Sequence, residues 1–216
     1  MKLPLLYFEE YLSLSKASVF EILTVLLVIL GLTVLFVFFY HSYLVKQCLK
    51  NEYWLPVVDD AGNVIGRVAR SVSLEKPCTY QHPLIRIMVY KSGSLYLTPR
   101  TYELCPDLGK YDHPFERMME YGKSIEETLE DFRINFFPHA QKPRFILRYK
   151  HENTLGQWQA LLYILRISDE EELTGLDKSK GKFWTLPQIK ENAGKSCFSS
   201  FLEGELEFFE TLNDTD

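Results

Sequence analysis

The apolar run from Ile22 to Tyr40, ILTVLLVILGLTVLFVFFY, sets the first limit on what this chain can become. It contains no charged residue. As a helix rising ~1.5 Å per residue it is long enough to cross a hydrocarbon core of ~30 Å. About 15 of its residues are Leu, Ile, Val or Phe, worth at most about 5–9 kcal/mol towards insertion. A core helix would carry a polar stripe, and only Thr24, Gly31 and Thr33 interrupt this run. A secretory leader would be shorter and end in small residues, whereas this run ends in Phe-Phe-Tyr-His-Ser-Tyr. The run is therefore read as a retained single-pass transmembrane helix, with the lipid bilayer its partner through Ile22–Tyr40. Tyr40 and Tyr43 suit the headgroup boundary, as do Tyr7 and Tyr11 if the N-terminal segment lies on the surface. Gly31 stands alone, outside any GxxxG pattern, so the run carries no strong dimer signal.

The flanks say little about orientation. Lys2 and Lys16 precede the run and Lys46 and Lys50 follow it, a balance on which the positive-inside rule barely acts. Cys48, Cys78, Cys105 and Cys197 are scattered without a CxxC, as expected of a reducing compartment. The C-terminal part is accordingly expected on the cytoplasmic side. The 216-residue chain has a formal net charge of −5, which argues against nucleic acid as a partner. Beyond the membrane helix roughly 165 residues remain, enough for one domain with its own core. The expected organisation is an N-terminal segment over 1–17, the helix and its juxtamembrane extension over 18–48, and a domain over 52–213.

Glu52–Val58 and Val64–Ala69 read as strands joined by the turn-forming Asp59-Asp60-Ala61-Gly62-Asn63. Leu84–Tyr90 and Ser94–Thr98 repeat this around Lys91-Ser92-Gly93, and Arg100–Pro114 reads as a loop. Ser124 and Glu127 form a capping box, followed by Ile125, Leu129, Phe132 and Phe136 on one helix face ending before Pro138. Arg144–Glu152 alternates as a strand, and Gln157–Ile167 is apolar enough for a buried one. Asp169–Glu172 reads as a solvated acidic loop. Gly181–Thr185 leads into a short helix with Pro187 near its start. The last helix starts near Ser200, with Glu203 expected to complete a second capping box, and buries Phe201, Leu202, Leu206 and Phe209. The order predicts an α+β domain, a mixed β-sheet with packed helices.

These motifs, in this order, resemble a Nudix domain, in particular its isopentenyl-diphosphate-isomerase-like branch. VVDDAGNVIGRVAR (Val57–Arg70) is similar to that branch's opening hairpin. HPLIRIMVYKSGSLYLTPR (His82–Arg100) resembles its next strand, glycine turn and strand. KYDHPFERMMEYGKSIEETL (Lys110–Leu129) stands in the place of the Nudix box, G-x5-E-x7-R-E-U-x-E-E-x-G-U with U a bulky aliphatic. The resemblance covers roughly residues 52 to 210 and implies a Nudix-like fold. In the family the box carboxylates hold Mg²⁺. Aligned on the box, the first Gly is Arg117 and the first Glu is Lys123. The Arg-Glu pair is Asp131-Phe132, the Glu-Glu pair is Asn135-Phe136, and the closing Gly is Pro138. Positions 132 and 136 share a helix face, where carboxylates would meet one ion, but phenyl rings cannot coordinate a hard cation.

The reading that follows is a membrane-anchored, catalytically degenerate Nudix-fold protein, with no catalytic residues, no metal and no cofactor expected. It would bind a phosphorylated small molecule or a membrane-protein partner. Arg86, Arg100, His113, Arg117 and Lys123 are the candidate ligand contacts, placed around the vacated pocket. A second reading is a divergent Mg²⁺-dependent pyrophosphohydrolase whose metal has moved to Glu116, Glu120 or Glu127. A third is a scaffold subunit of a membrane complex. Glu126 and Glu130 flank the apolar stripe and are read as a solvated face, His82, His113, His139 and His151 lack zinc spacing, and Trp158 and Trp184 are read as core anchors.

Overall fold

The computed structural model describes residues 3–101, 107–168 and 180–209, with the side chains of the first helix from residue 19 onward. The chain divides into two compact units, Met1–Glu52 and Tyr53–Asp216.

The first unit is one continuous helix, α1 (Leu3–Asn51). Among the described residues it is the helix long and apolar enough to cross a membrane. Its large apolar side chains are exposed from Val19 to Leu49. Thr24 and Thr33 turn their hydroxyls back onto the Phe20 and Ile29 carbonyls, each at 2.8 Å, so neither presents an unbonded donor.

The second unit begins with an antiparallel hairpin, β1 (Trp54–Val58) and β2 (Val64–Ala69), with a register shift at Val57/Val58. The Asp59 carboxylate closes the turn by accepting from the Asn63 backbone N–H at 2.8 Å. Gly62 has φ +87°, a backbone conformation that favours glycine, and a Cβ there would also lie 2.5 Å from Arg148 Nη1. A six-residue helix, α2 (Arg70–Glu75), follows directly; the sequence carries no apolar periodicity there and the helix was not anticipated.

The main sheet is built on β3 (Gln81–Lys91). The other strands are β4 (Ser94–Pro99), β5 (Tyr111–Asp112), β6 (Phe115–Met118), β7 (Arg144–Asn153), β8 (Gly156–Arg166) and β9 (Lys182–Thr185). The order is β5-β4-β3-β8-β7, with β6 also on β3 and β9 on β4. Only the β3–β8 pairing is parallel among the described ladders, placing Arg86 beside Leu162. The mixed α+β architecture is the one expected. One boundary differs. The expected loop Arg100–Pro114 contains β5, which bonds to β4 and, through Tyr111, to Cys197 and Ser199. The acidic run Asp169–Glu172 lies outside the described residues.

Because side chains alternate across a strand, β3 supplies two cores. Ile85, Ile87 and Val89 pack with α3 (Ile125–Phe136). Met88 and Tyr90 pack with α4 (Leu186–Asn192) and α5 (Ser200–Glu205) on the opposite face. The α3 capping box forms as expected, with Glu127 N–H donating to Ser124 Oγ and Ser124 N–H to the Glu127 carboxylate. The expected Ser200–Glu203 box does not form. Ser199 caps α5 through the Leu202 N–H, and the Glu203 carboxylate accepts from Gly194 N–H at 2.9 Å instead. Trp158 and Trp184 sit in the cores.

Candidate functional site

On the α3 face, the box positions are occupied by packing. Phe132 is buried and Phe136 partly so, both against Phe115 of β6; the ring centroids lie 6.0 and 5.2 Å from it. Phe137 closes the group at 5.5 Å. These rings offer no oxygen to a divalent cation. Asp131 turns outward to Lys123 at 3.2 Å and Arg117 at 3.8 Å. The Asn135 amide donates to the Asp131 carbonyl.

The three carboxylates named as a relocated ligand set are not brought together. Glu116 is one residue past Phe115 on β6 and so points to the α5 face, where Arg86 and Arg100 hold it. Glu120 pairs with Lys123 at 3.4 Å. Glu127 is spent on the α3 cap. No three His, Cys, Asp or Glu side chains among the described residues form a metal-like group.

Arg86, Arg100 and His113 do converge, but around carboxylates rather than an open anion pocket. Arg86 is fully buried, with Nη2 2.6 Å from Asp112, Nε 2.9 Å from Glu205, and Nη1 on Glu116. Arg100 holds Glu116 at 2.8 Å and also reaches Asp112. His113 Nε2 donates to Glu205 at 2.7 Å, while its buried Nδ1 has no partner. The Tyr149 hydroxyl donates to Glu205, and the Phe201 ring lies 4.4 Å from the Arg86 guanidinium. Burial, the largest single effect, would raise the Asp112 and Glu205 pKa values, but Arg86 and His113, joined by Arg100 at Asp112, together outweigh it and both lie below the ordinary carboxylate range. Burial would likewise lower Arg86, but Asp112, Glu205, Tyr149 and Glu116 together reverse that and raise it well above its ordinary value. Such a network ties α5 to the sheet through Glu205.

The open site lies elsewhere. A cleft of about 600 Å³ separates the β1–β2 hairpin, the loop before α3 and strands β7 and β8. Its walls include Val58, Val64, Ile125 and Leu161, and Lys123 and Arg148 bring positive charge to it. Of the predicted contacts, Lys123 is the one that lines this cleft. Arg117 lies outside it, 5.3 Å over the Phe132 ring.

No protein-family model matches this chain, and no curated protein matches it. Among solved structures, DR0079 from Deinococcus radiodurans aligns with TM-score 0.53 at 15% identity, covering 71% of this chain and 97% of that one. A MutT protein from Methanosarcina mazei Go1 gives 0.49 at 16% identity, covering 65% of this chain and 98% of that one. A Nudix hydrolase from Nitrosomonas europaea gives 0.45 at 12% identity, covering 64% and 90%. The fold is Nudix-like. The likeness concerns architecture alone, since chemistry resides in the residues placed on it.

Sequence reasoning missed Asp112, Tyr149 and Glu205 in the ion network and Arg148 in the cleft. Glu205 did leave a signal. It lies three and four residues after Leu202 and Phe201, on the stripe that α5 buries, where a carboxylate requires a partner.

Proposed function

We propose that this protein is a membrane-anchored Nudix-fold domain that has lost metal-dependent hydrolysis and acts by binding an anionic, phosphorylated small molecule. The observation that carries this reading is the Phe115–Phe132–Phe136 aromatic group standing where the fold's oxygen ligands belong. The separation of Glu116, Glu120 and Glu127 supports it against a relocated metal site. The resemblance of the Val57–Arg70 hairpin supports reading the domain as part of the isopentenyl-diphosphate-isomerase-like branch. Ile22–Tyr40 anchors it, with the domain on the cytoplasmic side. Lys123 and Arg148 attract the anion into the cleft beside apolar walls that take the rest of the molecule.

The test is a thermal-shift screen of the full chain in nanodiscs against nucleoside diphosphates, isoprenoid diphosphates and inorganic diphosphate, with EDTA present. A compound that raises Tm without divalent ions, and loses that effect in Lys123→Ala, is the expected result. Stabilisation that requires Mg²⁺ would contradict the reading.

A further inference from the structure

We propose that the ligand of the cleft is a phosphate monoester of a long aliphatic chain, its head against Arg148 and its chain along the floor between β1 and β8. This rests on the anion-binding reading above and names the class of anion.

Charge selects the head. Among the described residues, Glu120, Lys123 and Arg148 are the ionised side chains that line the cleft. Lys123 Nζ is already shared between Glu120 at 3.4 Å and Asp131 at 3.2 Å. Arg148 is exposed and has no carboxylate partner among the described residues. Its Nη1 donates to the Ala61 carbonyl at 2.5 Å, which leaves the other N–H groups of the guanidinium for a ligand. A planar guanidinium pairs bidentately with a phosphate. One uncompensated cation suits a monoester better than a diphosphate or triphosphate, which a divalent cation ordinarily helps to hold.

The walls select the rest of the molecule. Val58, Met119 and Leu161 are buried, and with Pro56, Pro83 and Ile125 they give the cleft an aliphatic lining. Met119 and Leu161 belong to the Phe115–Phe132 core and Ile125 packs against it, so the floor is fixed by close packing. A nucleobase would need a free ring to stack on and free polar groups along its edge. Tyr121, the aromatic side chain of the described lining, is already stacked by Arg67 at 5.2 Å. The Gln159 amide donates to the Asp60 carbonyl at 3.4 Å, and the Ser124 hydroxyl caps α3. A hydrocarbon chain asks for none of these groups and gains by leaving water. A cleft of about 600 Å³ takes roughly twenty heavy atoms at about 30 Å³ each, enough for a phosphate and about a dozen carbons.

Photolabelling of the full chain in nanodiscs tests this, with dodecyl phosphate bearing a terminal diazirine as the probe and labelled peptides mapped by mass spectrometry. Free ligand is measured by dialysis against empty nanodiscs, which removes partition into lipid. Label should fall on peptides holding residues 56–64 and 119–125. It should drop about tenfold in Arg148→Ala, and also in Val64→Trp, which narrows the cleft from an exposed position. Unlabelled alkyl phosphates from hexyl to decyl should displace the probe about fourfold better, or more, for each two methylenes added. Label confined to α1, or unchanged by both substitutions, would overturn the proposal. Displacement by decanol equal to that by decyl phosphate would overturn the anionic head and the anion-binding reading together. If inorganic diphosphate or ADP raises Tm without divalent ions while no alkyl phosphate displaces the probe, the aliphatic ligand is overturned and the anion-binding reading stands. If no anion binds, both fall.

Discussion

At the scale of single residues, the two faces of β3 have opposite fates. Phe132 is core, and Phe132→Ala should cost about 3–5 kcal/mol in urea unfolding, in the range of buried aromatic truncations. A ring that lined an active cleft would show less. Glu205 is the counterpart on the other face. Removing its charge leaves Arg86 with one partner fewer and strands His113 and Tyr149. Glu205→Ala should therefore destabilise the domain by about 3–5 kcal/mol, the cost of an uncompensated buried charge. If chemical denaturation showed a loss below about 1 kcal/mol, the network would be peripheral to stability.

At the scale of elements, most strands and α3 were legible because their patterns are local. The Ser124/Glu127 box and the stripe Ile125, Leu129, Phe132 and Phe136 define α3 without tertiary information. The hairpin turn at Asp59–Asn63 is similarly self-declaring. What escaped was nonlocal. The partners of Arg86 come from β5, β6 and α5, between 26 and 119 residues away, so no spacing rule could join them. Residues Arg86, Arg100 and His113 were legible as neighbours of one region, but not the acids that consume them. Two capping assignments show the same limit. The Ser124 box is a four-residue event and formed, whereas Glu203 was diverted to Gly194 by the fold of the preceding loop.

Helix α2 makes a pH prediction of its own. Burial holds the His82 pKa below its ordinary 6.5, outweighing the Pro56 hydrogen bond. A depressed folded value means that its stabilisation is present above the unfolded pKa and is lost as pH falls. The hydrogen bond between Ser73 Oγ and His82 Nε2 should weaken from about pH 6.5 downward. Amide exchange across Arg70–Glu75, corrected for the intrinsic pH dependence, should accelerate through that window in the native chain. In His82→Gln that acceleration should disappear. Unchanged protection down to about pH 5 would show that His82 does not carry the helix.

At the scale of the whole molecule, a Nudix-like unit follows an apolar helix within three residues. On α3 and β6 the rings of Phe115, Phe132 and Phe136 pack together, and Glu116 and Glu120 are engaged by Arg86, Arg100 and Lys123. Hydrolysis is the deciding chemistry. Full-length protein in nanodiscs should give no product from nucleoside or isoprenoid diphosphates in Mg²⁺ or Mn²⁺ above the rate of empty nanodiscs. Divalent-dependent turnover that is abolished by Glu120→Gln, with the fold intact by circular dichroism, would contradict it.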